Sequence, residues 1–319
     1  MRFALMTEPQ QGLTYDELLA IVRTAEDVGF ESFFRSDHIT SFPGEGGLPA
    51  TDAWATLAGL ARETSRLSLG TLVSPVTFRL PGNLAKVVTT VDEMSGGRAE
   101  LGLGAGWNEE EHRQHGIPFP DLPERYDMLE EQLAIVHGLW TEPDGWTFEG
   151  RHWQVAHSMF RPRPVGRFGR RHPNIIVGGE GRSRGLALAA RFADEYNISS
   201  AAPEKAARVV ESLRQACGTA GRDPDQLVVS AMTGVLIAES ETDLSDRVQA
   251  QIEMMGGDRE ETEAWLAERR TRWVMGTPDE AMDKVAALEA TGVSRIMLQD
   301  FLPRDLDMVR LMGSRLLNA

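Results

Sequence analysis

Asp37 and His38 close the apolar run "ESFFRSDHI". An imidazole there could give or take a proton near neutral pH. The same pair also fits a helix cap beside a surface histidine. Two glycine-rich loops follow. In "ELGLGAGWNEEEHRQHG", Gly102, Gly104 and Gly106 lead into a helix whose first turn holds Glu109, Glu110 and Glu111. Asn108 reads as its N-cap, with Glu111 three residues on completing a capping box. Those carboxylates repel an anion, so the glycines serve either as plain turn residues or to let a flat body lie close to the backbone. In "GGEGRSRG", Gly178, Gly179 and Gly181 precede a helix carrying Arg182 and Arg184. That loop is the better place for a phosphate, Glu180 being its one discordant charge.

Other chemistries fare worse. Trp107 and Arg184 stand where a dinucleotide fingerprint needs its third glycine. "GRSRG" has the form of a nucleophile elbow around Ser183, but that fold needs a histidine later in the chain and the last one is His172. Ser183 reads instead as one more hydroxyl for the phosphate. His112 and His115 are three apart on what reads as a solvated acidic helix, without a metal-ligand pattern. Arg35 lies inside a strand, on the side of Asp37 by alternation. A buried guanidinium needs a carboxylate, and Glu100 with Asp194 or Glu195 are the expected partners. Cys217 falls on the apolar stripe of Val210 and Leu213, as a buried inert thiol would.

The elements that must position these residues alternate strand and helix throughout. "RFALMT" is a strand, and "TYDELLAIVRTAEDVGF" a helix with a Thr14/Glu17 capping box and Gly29 as its stop. Further strand–helix units follow, with helices over Asp52–Glu63, Asn83–Met94, Glu124–Leu139, Ser183–Phe192 and Pro203–Ala216. A long helical stretch runs from Asp243 to about Arg270, and Thr277 with Glu280 caps one more helix. Eight units of this kind predict an α/β fold, a parallel (β/α)8 TIM barrel. "WTFEGRHWQV" reads as a small inserted hairpin before strand five. One domain over residues 1–319 is expected. The catalytic end of such a barrel is where strands stop, which puts Val73, Ser74, Asn197 and Gln299 beside the loops above.

Composition narrows the partners. The chain has 319 residues, 41% of them hydrophobic, and a net charge of −15 from 48 acids and 33 bases. Neither nucleic acid nor an anionic membrane suits that charge. The N-terminal apolar run is too short for a signal peptide, no stretch approaches a membrane span, and one cysteine forms no internal disulfide. A cytoplasmic protein with a small-molecule substrate is expected.

"AEDVGFESFFRSDHI", "LSLGTLVSPVTFRLPGNLAKVVTTVDEMSGGRAELGLGAGWNEEEH", "IIVGGEGRSRGLALAARFADEYN" and "WVMGTPDEAMDKVAALEATGVSRIML" together resemble the bacterial luciferase-like superfamily, in particular its deazaflavin (coenzyme F420)-dependent oxidoreductases. The resemblance covers nearly the whole chain. It implies a tricyclic ring in the barrel mouth, packed on a bulge with a cis Leu72–Val73 peptide, with Ser74 beside it. Gly104, Ala105 and Gly106 would abut the ring. Gly178, Gly179, Gly181 and Arg182 would take the cofactor's phosphate, and Asp37 would meet the ring's polar edge. His38 would be catalytic, handling the proton that accompanies hydride transfer at C5. No metal is implied. A family acid just after the strand-four glycines is replaced by Trp107, which argues against a sugar phosphate and for a flatter, more apolar pocket. Alternatives within the resemblance are an FMN-dependent monooxygenase using reduced flavin and oxygen, and a non-catalytic flavin-binding barrel. A homodimer, and a separate F420 or flavin reductase, are further implied partners.

Overall fold

A computed structural model describes residues 1–42, 46–166, 169, 171–254 and 262–317. Eight parallel strands close on themselves among them: β1 (Arg2–Thr7), β2 (Ser32–Arg35), β3 (Ser68–Pro75), β4 (Ala99–Gly104), β7 (Asn174–Gly179), β8 (Glu195–Ile198), β9 (Val228–Ile237) and β11 (Arg295–Asp300). The barrel expected from the alternation is therefore present. Between β4 and β7 lies the inserted antiparallel hairpin, β5 (Trp146–Glu149) and β6 (Gln154–Ser158). A short β10 (Val274–Gly276) pairs with the end of β9.

The helices begin and stop for local reasons. In α1 (Tyr15–Val28) Thr14 and Glu17 exchange both capping bonds, and Gly29 at φ 106° ends it in a left-handed turn that favours glycine. Asp52 accepts from the Ala55 amide to start α2 (Ala53–Glu63), and Thr277 with Glu280 boxes α10 (Pro278–Glu289). α3 spans Pro81–Ser95, α4 Glu109–His115, α5 Leu122–Thr141, α6 Ser183–Phe192 and α7 Pro203–Thr219. The long stretch expected from Asp243 to Arg270 is α8 (Glu241–Met254) and α9 (Thr262–Arg270), and what joins them lies outside the described residues. α11 (Leu306–Met312) ends the set.

Strand faces divide the core. Outward side chains such as Leu5, Phe33, Leu69 and Leu101 join the helices in the main apolar layer. Inside the barrel a smaller apolar layer holds Ala4, Met6, Phe34, Leu72, Ile176 and Met297. Beneath it, at the strands' N-terminal ends, sits a buried charge cluster. Arg295, fully buried, donates to Glu100 at 2.9 and 3.0 Å, to Glu195 at 2.9 Å and to Ser32 Oγ. Glu31 pairs with its Nε at 2.8 Å. Burial alone would lower the Arg295 pKa, but Glu100 and Glu195 outweigh that and raise it.

This corrects the partners expected for Arg35. It is buried, but on the outer face with Phe33, and it donates to the carbonyls of Ser36 and Thr51 and the hydroxyls of Thr51 and Thr56. Burial lowers its pKa to about 10, against the pull of Asp37, Asp52 and Glu8. The barrel acids Glu100 and Glu195 belong to Arg295. Asp194 lies outside that cluster and accepts from the Ile175 amide at 2.8 Å. Cys217 is buried as expected, and desolvation raises its thiol.

Candidate functional site

The strand ends β2, β3, β4 and β7 are consecutive neighbours, so their loops form one continuous wall of the barrel mouth. Its centre is an irregularity in β3. The Leu72–Val73 peptide is cis, and the β3–β4 register shifts between Thr71 and Ser74. Leu72 points into the barrel layer, and Val73 is turned toward β4 and β7. A Cβ added to Gly104 would come within 2.8 Å of a Val73 γ-carbon, and one on Gly178 within 2.7 Å. At Gly102 it would meet the Thr71 carbonyl at 2.1 Å. These glycines therefore make room for the protein's own bulge. The reading of Gly102 and Gly104 as bare backbone for a flat body did not include this steric need of the bulge itself.

Ser74 ties the bulge to β2. Its hydroxyl donates to Asp37 at 2.5 Å and accepts from Trp54 Nε1 at 3.3 Å. Asp37 is buried and takes both Arg79 terminal nitrogens, and Arg79 also reaches Asp52 at 2.6 Å. The Asp37 carboxylate is thus neutralised inside the wall by an arginine that the motif reading passed over.

His38 has a different partner. Its Nδ1 lies 2.9 Å from Glu111 Oε1, while Glu111 Oε2 accepts from the Ile39 amide at 3.2 Å. The Glu111 side chain is 1% exposed, that of His38 17%. Asn108 does cap α4, accepting from the Glu111 amide at 3.4 Å, but the Glu111 carboxylate turns to the β2 loop rather than back to the cap. The reciprocal capping box expected there is absent because Ile39 and His38 offer that carboxylate a buried donor pair. His112 is likewise buried, not on a solvated face: Nδ1 meets the Asn108 carbonyl at 2.6 Å and Nε2 meets Thr77 Oγ1 at 2.6 Å. His115 is exposed. The Phe42 and Trp107 rings lie T-shaped to His38, with centroids 4.4 and 5.6 Å from its own, and Trp107 is 66% exposed.

The loop of Ala105 and Gly106 is held from α5. Arg125 Nε donates to the Ala105 carbonyl at 3.0 Å and stacks over Phe119, and Gly106 adopts φ 79°. Across the wall, the Gly181 amide donates to the Tyr196 hydroxyl at 2.9 Å. Burial pushes that phenol up to about 12, so it stays neutral. Gly179 and Gly181 flank this bond, and α6 starts two residues later. Arg182 is its N-cap, exposed, without a side-chain cap bond or an ion pair among the described residues. Arg184 is different: it pairs with Asp127 at 2.5 Å and lies over Tyr126. Its ties run to α5, a partner that the motif reading did not give it. Among the described residues no group of acids, histidines and cysteines could hold a metal ion, and no helix is long and apolar enough to cross a membrane.

The wall thus presents an imidazole hydrogen-bonded at Nδ1 to a buried carboxylate, beside the β3 bulge. Across it, α6 starts without a side-chain cap bond, and Arg182 makes no ion pair among the described residues.

Comparison with known proteins gives this arrangement a context. The luciferase-like monooxygenase family matches residues 1–295. An F420-dependent glucose-6-phosphate dehydrogenase of Microbacterium testaceum is 28% identical over 309 residues, 89% of this chain and 87% of its own. A pyrimidine monooxygenase of Stutzerimonas stutzeri is 30% identical over 274 residues, 82% of this chain and 71% of its own. Among solved structures, an F420-dependent secondary alcohol dehydrogenase, determined with an F420–acetone adduct, superposes with a TM-score of 0.82 at 18% identity, over 98% of this chain and 97% of that one. The sequence relatives thus include a deazaflavin-dependent dehydrogenase and a monooxygenase at similar identity. On sequence and fold together, this chain belongs to the luciferase-like monooxygenase family, as a flavin- or F420-dependent oxidoreductase.

Proposed function

We propose that the protein is an F420-dependent oxidoreductase acting on a small organic substrate at the C-terminal mouth of the barrel. The observation that carries this reading is the His38–Glu111 pair at the end of β2. Oxidation or reduction of an organic carbon by hydride needs a group to take or give the accompanying proton, and the imidazole of His38 suits that role. A relative matched over 89% of the chain is an F420-dependent dehydrogenase.

The residues present fit such a cofactor. Arg182 and the uncapped first turn of α6 suit its anionic tail, with Gly178, Gly179 and Gly181 as the approach. The wall of Leu72, Val73, Ser74, Gly104, Ala105 and Gly106 would flank the ring. Asp37 would act on the ring's polar edge only through Ser74 or Arg79, since both engage its carboxylate. When bound, the deazaflavin would supply a hydride-exchanging carbon. The chain supplies orientation, a partly dry wall and the proton carrier at His38.

Fluorescence-quenching titration with F420 and with FMN tests this, and tighter F420 binding is expected. Micromolar FMN binding with none for F420 would overturn it in favour of an FMN monooxygenase, the reading that the pyrimidine monooxygenase relative favours. His38→Ala should keep cofactor affinity within a few fold and lose ~10²–10⁴ in turnover with a competent substrate. Full turnover in that variant would remove His38 from the chemistry.

A further inference from the structure

We infer that Glu111 is a positioning residue that fixes the tautomer of His38, holding the ring hydrogen on Nδ1 so that Nε2 is the atom that exchanges the proton. The inference rests on His38 being the proton carrier, and it adds which nitrogen acts.

The argument is one of donors and acceptors. An ionised carboxylate only accepts. Glu111 spends Oε2 on the Ile39 amide at 3.2 Å and faces His38 Nδ1 with Oε1 at 2.9 Å. With the acid 1% exposed, water cannot substitute for either bond. A neutral imidazole beside such an oxygen must place its hydrogen on Nδ1. Nε2 then carries the lone pair. Among the described residues it has no protein partner, and it is not an orphaned buried atom. It is therefore open to a ligand or solvent, on a ring that has Phe42 and Trp107 as neighbours.

The consequence concerns the proton's path. In either direction the proton moves at Nε2: Nε2–H forms as the bond from that hydrogen to a substrate oxygen or nitrogen breaks, or the reverse, and the imidazolium form is held by the carboxylate behind it.

Glu111→Gln is the informative change because an amide is not symmetric. One position must still accept from the Ile39 amide, so the amide oxygen goes there. Its NH2 then faces Nδ1 and forces that nitrogen to accept. The tautomer inverts, and Nε2 becomes the protonated atom.

The experiment is nitrogen-15 NMR of the imidazole in the full-length protein without cofactor, at a pH where the ring is neutral. Signals are assigned by their loss in His38→Ala. The wild type should show protonated Nδ1 and bare Nε2, and Glu111→Gln the reverse. A wild-type ring protonated on Nε2, or a folded Glu111→Gln protein with unchanged tautomer, would overturn the inference. The wild-type spectrum decides even if the variant fails to fold. Turnover separates this inference from the reading beneath it. An inverted tautomer with a loss of ~10²–10⁴ supports both. An inverted tautomer with full turnover keeps Glu111 as the positioning residue and removes His38 as the proton carrier.

Discussion

Arginine is costly to bury without acceptors, and among the described residues two are fully buried, in different ways. Arg295 is surrounded by carboxylates, so Arg295→Met would strand Glu100 and Glu195 in a closed barrel. A loss of ~3–5 kcal/mol is expected. Arg35→Met strands only hydroxyls and carbonyls and should cost less, ~1–3 kcal/mol. Urea denaturation midpoints of the two variants compare them directly, and a larger loss at Arg35 would place the structural charge in the wrong strand. The sequence made the acids legible but not their partner. β2 reads Phe33-Phe34, apolar on both faces, so hydropathy does not say which parity looks inward. The informative strand was β11, where Arg295, Met297 and Gln299 share a face whose ends are polar. Glu111 was masked for a similar reason: a glutamate three residues past an Asn cap satisfies a capping pattern, and only the fold brings the His38 loop beside it.

Elements meet at the β3 bulge, and their fit there is steric. Gly104 and Gly178, from two different strands, leave the space that the Val73 side chain fills. Gly178→Ala should destabilise by ~1–3 kcal/mol, because the close atom belongs to a branched side chain with little freedom to move. Val73→Ala removes the obstructing carbons, so Gly178→Ala in that background should cost much less. Strict additivity in thermal or urea unfolding would show that the glycine answers to something other than Val73. The glycine positions at these strand ends were legible from the sequence, whereas what occupies the space was not. α4 gives a second test. His112 clamps it to Thr77, downstream of the bulge, so His112→Ala should lower stability by ~1–3 kcal/mol and impair turnover by loosening Glu111. His115→Ala, on the exposed side of the same helix, should change neither. Equal behaviour of the two variants would contradict the clamp. Spacing alone had placed both histidines on one solvated face, since a helix of seven residues is too short for its periodicity to reveal which side is packed.

The whole molecule separates stability from chemistry along the barrel axis: the charge cluster closes one end, and the candidate site occupies the other. One titrating group in the wall couples the barrel's stability to pH. Asp300 ends β11 beside Thr7 of β1, and it is fully buried with Oδ2 unpaired. Burial raises its pKa from 3.8 to about 7, with Asp305 adding to the rise and the Leu302 amide and Arg247 opposing it. The folded chain therefore keeps a proton that the unfolded chain releases near pH 4. Between pH 4 and 7 the native state binds more protons, so stability falls as pH rises, by at most ~1.4 kcal/mol per unit, and levels off above the folded pKa. Asp300→Asn can keep the bond from the Leu302 amide through Oδ1 and has nothing to titrate. Urea midpoints at pH 5, 6, 7 and 8 should show the wild type losing stability relative to Asp300→Asn up to about pH 7, then running parallel to it. Parallel curves from pH 5 onward would mean that Asp300 is already ionised in the folded barrel, and that Arg247 and the Leu302 amide outweigh its burial.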